Sequence, residues 1–320
     1  MVENLIEVEH VSKRFGRATV IEDLSFVVKR GEVVGFLGPN GAGKTTTMRM
    51  LTGFFPPTAG KINVAGFDML NESLKAKAKI GYMPEQPPLY PEMRVDDYLS
   101  FVARIKGINT KKIKTRLEES KALCGLTMVG KKLLRQLSKG FRQRVGLAQA
   151  IIHEPDVLIL DEPTAGLDPK QILEVRELIR ALGKNRTVIL STHILPEVSM
   201  TCERVLIMNK GRIVAANTPQ ELTRALKGGE TVRILIRGDV TKLENTIKTI
   251  PDVIHYAIKT LEDGLLSAEV RFPPEKDCRP VMARLLVEQG FDLLEMASAP
   301  ASLEEVFLKL TTEERLGEEA

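Results

Sequence analysis

Gly38-Pro39-Asn40-Gly41-Ala42-Gly43-Lys44-Thr45-Thr46 follows directly on the apolar run Val33-Val34-Gly35-Phe36-Leu37 and precedes apolar residues at Met48, Met50 and Leu51. It fits the pattern Gly, any four residues, Gly, Lys, then Ser or Thr, in the strand, loop and helix setting that the pattern requires. The glycines let successive backbone N–H groups turn toward one point, and a helix starting near Lys44 aims roughly half a positive charge at it. A triphosphate is the expected guest. In this motif Lys44 reaches the β and γ phosphates, Thr45 holds Mg²⁺, and Thr46 bonds further in toward the α phosphate.

Further along, Val157-Leu158-Ile159-Leu160 is an apolar strand followed at once by Asp161-Glu162-Pro163. Thr187-Val188-Ile189-Leu190-Ser191-Thr192-His193 is another, with His193 just past its end, and a helix through Val175, Leu178, Ile179 and Leu182 lies between them. Alternating strands and helices of this kind predict a parallel sheet covered on both faces. Ligands of such sheets collect at the carboxyl ends of the strands, where Gly38, Asp161, Glu162 and His193 all fall. The paired acids predict hydrolysis as well as binding. Asp161 is expected to hold Mg²⁺ through water, and Glu162 to take a proton from the attacking water, a role worth about 10²–10⁴ in rate.

Before the loop, Ile6 and Val8, then Leu24, Phe26 and Val28, alternate with polar residues as in an antiparallel edge sheet, with Lys13-Arg14-Phe15-Gly16 placing a lone aromatic in a turn. Ile62 to Val64 and Ile80 to Met83 read as strands, the second stopped by Pro84 so that Gln86 falls in a loop. Val95, Tyr98, Leu99 and Val102 carry helical spacing, and Ile113, Leu117 and Cys124 continue it in a second helix with Thr110 as N-cap and Gly125 as stop. A helical subdomain over about 88–150 follows, ending in a helix that Ser138 caps. Lys227-Gly228-Gly229-Glu230 marks a boundary. Beyond it the order β-α-β-β-α-β predicts a small ferredoxin-like domain, closed by an amphipathic helix Leu303 to Leu310 and an acidic tail after Thr312.

The 320 residues suffice for two or three domains, and 43% hydrophobic with 28% charged residues is ordinary for a globular protein. No apolar run approaches the ~20 residues of a membrane span, and the start carries no signal pattern, which predicts a cytosolic chain. Cys124, Cys202 and Cys278 are isolated, reading as small buried hydrophobes and not as a disulfide or zinc framework. Charge is uneven. Arg104 to Arg144 holds 13 basic residues against Glu118 and Glu119, net +11, which suits either solvated helix faces or an anionic membrane surface.

With Leu137-Ser138-Lys139-Gly140-Phe141 added, residues 1–225 resemble the ATP-binding subunit of ABC transporters. The resemblance places Phe15 at the adenine-stacking position, Gly38 to Thr46 as Walker A, Gln86 as the Q-loop, Ser138 and Gly140 in the signature, Asp161 and Glu162 in Walker B, Asp168 in the D-loop and His193 as the switch histidine. It implies a P-loop NTPase core with antiparallel β and helical subdomains, ATP and Mg²⁺ as ligands, and Thr45, Gln86 and Asp161 around the metal. Glu162, His193 and Gln86 are then the catalytic set, and Phe15, the loop, Ser138, Gly140 and Asp168 bind nucleotide. The signature variant and the ending look most like the ABC-2 type exporter branch, near the gliding-motility-associated ATPases. Within that branch, 226–320 is an α+β accessory domain. The partners implied are a separate membrane permease and a second copy of the chain in a head-to-tail ATP sandwich, on the cytoplasmic face of the cell membrane. A soluble ABC ATPase acting on nucleic acid or ribosomes, the alternative, predicts tandem nucleotide-binding domains or a long coiled-coil insertion that this sequence lacks. Two departures stand out: Lys139 and Phe141 replace the usual Gly and Gln of the signature, Lys139 reading either as an added cation at the γ phosphate or as a solvent-facing lysine, and Phe15 replaces the usual Tyr, its ring reading either as an adenine stack or as a core residue.

Overall fold

A computed structural model describes residues 3–225, 230–261, 264–273 and 278–299. Residues 227–229 of the expected boundary, the helix Leu303 to Leu310 and the tail after Thr312 lie outside these residues. The chain divides into two compact units, Met1–Pro219 and Gln220–Ala320.

The first unit opens with β1 (Asn4–Phe15) and β2 (Ala18–Lys29), then β3 (Val33–Leu37), α1 (Lys44–Leu51), β4 (Ala59–Val64), the short β5 (Phe67–Asp68), α2 (Ser73–Ala78) and β6 (Ile80–Met83). An antiparallel sheet of order β2-β1-β4-β5 buries Ile6, Val8, Leu24, Phe26 and Val28, the alternating set that the sequence singles out. Phe15 ends β1 and is not alone. Phe55 meets it edge-on, with centroids 5.4 Å apart, and Lys13 Nζ stands over both rings.

Next come α3 (Val95–Ile105), α4 (Thr110–Leu123), two 3₁₀ turns at Thr127–Val129 and Leu134–Gln136, and α5 (Lys139–Ile151). These form the expected helical subdomain, with Val95, Tyr98, Leu99, Val102, Ile113 and Leu117 buried. The cap of α4 is Asn109, whose Oδ1 accepts from Lys111 N; Thr110 is instead the first helical residue. An amide oxygen here outcompetes the neighbouring hydroxyl because it reaches the second free N–H of the helix. Part of the basic excess is neutralised locally: Lys121 is buried between Asp96 and Glu118, and Arg116 pairs with Glu119 and Glu154. Lys111, Lys112 and Lys114 are exposed.

β7 (Val157–Asp161), α6 (Pro169–Gly183), β8 (Thr187–Thr192), α7 (Leu195–Thr201), β9 (Arg204–Asn209) and β10 (Arg212–Asn217) follow, and α8 (Pro219–Ala225) begins at the division into the second unit. The main sheet has order β10-β9-β3-β8-β7-β6, parallel throughout except for β10, which pairs antiparallel with β9. All residues of β3, β7 and β8 are buried, as expected of strands covered on both faces. One continuous core joins the antiparallel sheet, α1 and the main sheet, with Phe26 against Phe36 and with Met48 and Leu51 beneath.

The second unit runs β11 (Glu230–Arg237), α9 (Val240–Thr249), β12 (His255–Thr260), β13 (Leu265–Phe272), α10 (Arg279–Glu288) and β14 (Asp292–Ala299). Its sheet, of order β12-β13-β11-β14, is antiparallel at every pairing. That is the ferredoxin-like arrangement, with the first and third strands central. Its core holds Ile234, Ile247, Phe272 and Met282. All three cysteines of the chain are buried, and burial pushes the Cys124 thiol up to about 12. Among the described residues, no helix is long and apolar enough to cross a membrane.

Candidate active site

The loop after β3 has no room for side chains at its start. A methyl group built on Gly38 would lie 2.6 Å from the Met208 carbonyl oxygen, so only glycine lets β3 run beside β9 into the turn. Gly43, at φ +103, swings the chain so that α1 begins at Lys44, with Thr47 N bonded back to Gly43 O. These two glycines fix the path of the loop. Lys44 is almost wholly buried; its Nζ donates to Gly38 O at 2.8 Å and to Pro39 O at 3.2 Å, and stands 3.5 Å from Glu162 Oε1.

The carboxyl ends of β7 and β8 supply the acids. Asp161 Oδ1 accepts from Ser191 Oγ at 2.5 Å and from Thr45 Oγ1 at 3.2 Å, which joins three elements at one buried oxygen. Beside it, burial pushes the Tyr82 phenol up to about 12, with the Asp161 charge adding to the shift, so Tyr82 stays neutral. Glu162 sits at φ +48, a conformation uncommon for a non-glycine residue. Its N–H, shared between Ser191 O and Oγ at 3.1 Å each, holds it there. Its second oxygen, Oε2, lies 3.0 Å from His193 Nδ1. A cavity of about 300 Å³ opens over these groups, walled by residues 40–46 with Val20, Glu85, Glu162, Ala165 and His193.

Of the residues expected at the site, Asn40, Gly41, Ala42, Gly43, Lys44, Thr45, Thr46, Glu162 and His193 line this cavity, and Asp161 meets it through Thr45. Gln86 faces a neighbouring cavity of about 540 Å³, shared with Lys139 and Arg142, while Glu85 occupies the wall of the first. Phe15 stands at the end of β1 with Phe55. Ser138 and Asp168 cap their helices, accepting from Phe141 N and Gln171 N. Sequence reasoning missed Ser191 and Glu197. Glu197, buried at 3% exposure, accepts from both Thr164 and Thr192 Oγ1 and so ties the turn after Glu162 to the end of β8. Ser191 could have been noticed as a polar residue ending an apolar strand. Glu197 carries no such signal, since an acid near a helix start reads as surface.

A family model described as ABC transporter matches residues 21–165. The linearmycin resistance ATP-binding protein of Bacillus subtilis is 32% identical over 311 residues, covering 96% of this chain and 98% of that one. The chain belongs to the ABC transporter family. The Nod factor export ATP-binding protein I of Rhizobium etli, 35% identical, covers 98% of this ABC ATPase and 95% of its own length. A solved ATP binding subunit of an ABC transporter superposes with a TM-score of 0.63 at 32% identity, over 69% of this chain and 92% of its own. This ABC ATPase is therefore an ATP-binding, ATP-hydrolysing transporter subunit of the ABC-2 type exporter branch, with the P-loop fold that its loop predicts. The likeness to gliding-motility ATPases finds no counterpart among these relatives, and none of their names points to nucleic acid or ribosomes.

Proposed function

We propose that this chain drives export through a separate membrane permease, binding Mg·ATP at the 300 Å³ cavity and hydrolysing it with Glu162 as general base. The observation that carries the reading is Lys44: a buried ammonium satisfied by two loop carbonyls and facing the Walker B glutamate is a cation poised to exchange those partners for phosphate oxygens. Residues 38–46 cradle the triphosphate and Thr46 continues toward the α phosphate.

The donor set fits Mg²⁺. Thr45 Oγ1, on the cavity wall, and Asp161 Oδ1, behind it, are hard oxygens 3.2 Å apart, and Mg²⁺ takes one or two protein oxygens, keeping water and substrate phosphates for the rest. That is why no cluster of three or more candidate ligands is needed, and none occurs among the described residues. Bound there, the ion would neutralise charge on the phosphates. Glu162 takes the proton of the attacking water as its oxygen bonds to the γ phosphorus and ADP leaves. His193, at 3.0 Å, orients the carboxylate. In the sandwich, Ser138, Gly140 and Asp168 complete the partner's site and Phe15 stacks on adenine; Gln86, from the loop after β6, joins Thr45 and Asp161 around the metal. Residues 226–320 form the accessory domain. The molecule is then peripheral on the cytoplasmic face of the membrane. Lys44→Ala should abolish phosphate release and weaken ATP binding at least tenfold, measured with a fluorescent ATP analogue; full activity in that variant would remove the reading.

A further inference from the structure

We propose that Lys139 is a positioning residue that ties the signature of one subunit to the same subunit's Glu162, so that filling one ATP site alters the chemistry at the other. The inference rests on the sandwich reading above, in which Ser138 and Gly140 serve the partner's nucleotide while Glu162 serves the subunit's own.

Lys139 is the first residue of α5, just after its cap. Its side chain runs across to the turn that follows Walker B, where a methyl group built on Gly166 would lie 2.1 Å from Lys139 Nζ and 3.3 Å from its Cε. The ammonium therefore rests on the glycine itself. Gly166 has φ +66, and its missing side chain provides the space that Lys139 takes. Lys139 is exposed and forms no ion pair with the described residues, so its contact with Gly166 is what locates the ammonium.

The turn is stiff. Ala165 N bonds to Glu162 O at 3.1 Å and Leu167 N to Thr164 O at 3.2 Å, two overlapping turns that bracket Gly166, the first of them closing on Glu162. A second contact runs beside the first: a methyl group on Gly140 would lie 2.7 Å from Gln171 Oε1, and Gln171 is bonded to the Asp168 cap. The signature and the start of α6 are thus packed at two points. Ala165 also walls the 300 Å³ cavity. Glu162 is held in an uncommon backbone conformation with two side-chain partners, Lys44 and His193, at 3.5 and 3.0 Å. Each partner faces its own oxygen of Glu162, Lys44 at Oε1 and His193 at Oε2, so a displacement carried through the turn moves the carboxylate relative to both.

The test is the ATP dependence of hydrolysis by the full chain. Two coupled sites give a Hill coefficient approaching about 2. Lys139→Gly and Lys139→Met should lower it toward about 1 and reduce kcat several-fold, while the affinity of the P-loop for a fluorescent ATP analogue stays within about twofold, which also reports that the variants are folded. Lys139→Arg, which keeps a cation with similar reach, should recover cooperativity. Gly166→Ala should impair the wild-type chain more than the Lys139→Gly chain, because the added methyl meets the ammonium in only one of them. Hill coefficients unchanged in both the Gly and Met variants, or strictly additive effects at 139 and 166, would overturn the proposal while leaving the sandwich intact. If instead the wild-type chain is non-cooperative and the Glu162→Gln variant forms no ATP-dependent dimer, the sandwich reading fails and takes this inference with it.

Discussion

Glu162→Gln separates binding from turnover, and the geometry sets its size. Glutamine is isosteric, so its Oε1 can face Lys44 Nζ, 3.5 Å away in the wild type, while its Nε2 donates to His193 Nδ1 in the tautomer that leaves that nitrogen free. What disappears is one negative charge against a buried ammonium. At 3.5 Å and an effective dielectric of about 20 the direct attraction is on the order of 5 kcal/mol. Desolvation of two ions that are each about nine-tenths buried offsets most of it. A net ~1–2 kcal/mol is then released for phosphate binding, about 5- to 30-fold tighter ATP. Turnover loses the base and should fall by about 10²–10⁴. Equilibrium binding of a fluorescent ATP analogue, steady-state phosphate release and light scattering after size exclusion in ATP report the three quantities: tighter binding, slow release and a persistent dimer. Hydrolysis within tenfold of wild type would refute the role of Glu162, and weaker ATP binding would refute the charge argument.

Mixing Lys44→Ala with Ser138→Arg subunits, each inactive alone, should restore roughly a quarter of wild-type ATPase, since about half the dimers are mixed and each has one intact site of two; no recovery, with subunit exchange verified, would mean that each chain completes its own site. Replacing Lys111, Lys112 and Lys114 with Gln should weaken recruitment to anionic vesicles or permease-containing membranes in a salt-dependent way and spare soluble ATPase activity; unaltered recruitment would assign these exposed lysines to solvent alone. His153 bonds Ile80 O at 3.0 Å, and burial, with Lys106 nearby, lowers its pKa from 6.5 to about 4. The unfolded chain therefore binds a proton that the folded one refuses, and stability should fall by about 2–3 kcal/mol as pH drops from 6.5 to 4; urea midpoints that decline equally in His153→Gln would show that other groups carry the loss.

The loop at Gly38–Thr46 was legible because its chemistry is local: the glycines, Lys44 and Thr45 lie within nine residues, and the same residues that contact ligand also determine the backbone path. β7 and β8 were legible for a similar reason, since strands buried on both faces must be apolar along their whole length. The hairpin of β9 and β10 went unread. Val205 to Met208 is as apolar as β7, but β10 is only half-buried, and its Lys210-Gly211 turn resembles many surface turns. The choice of Asn109 over Thr110 as cap depended on where the backbone left the helix, which two adjacent capping residues cannot decide. Glu85 rather than Gln86 lines the first cavity because the chain turns after Pro84, a path set by packing with α5. Glu197 and Ser191 act across more than 25 residues of sequence, through Thr164 and Asp161, so no window of spacing could pair them.

The burial of all three cysteines has a practical consequence for watching this protein move. A thiol reacts as thiolate and only when reagent can reach it; Cys124 has neither property at neutral pH, being fully enclosed and shifted up to about 12, and Cys202 is shifted upward by burial as well. A single cysteine introduced on an exposed helix face would therefore label far faster than the native three. Paired spin or fluorescence probes could be attached to the otherwise unmodified chain, with no prior removal of core cysteines and none of the cavities that removal leaves.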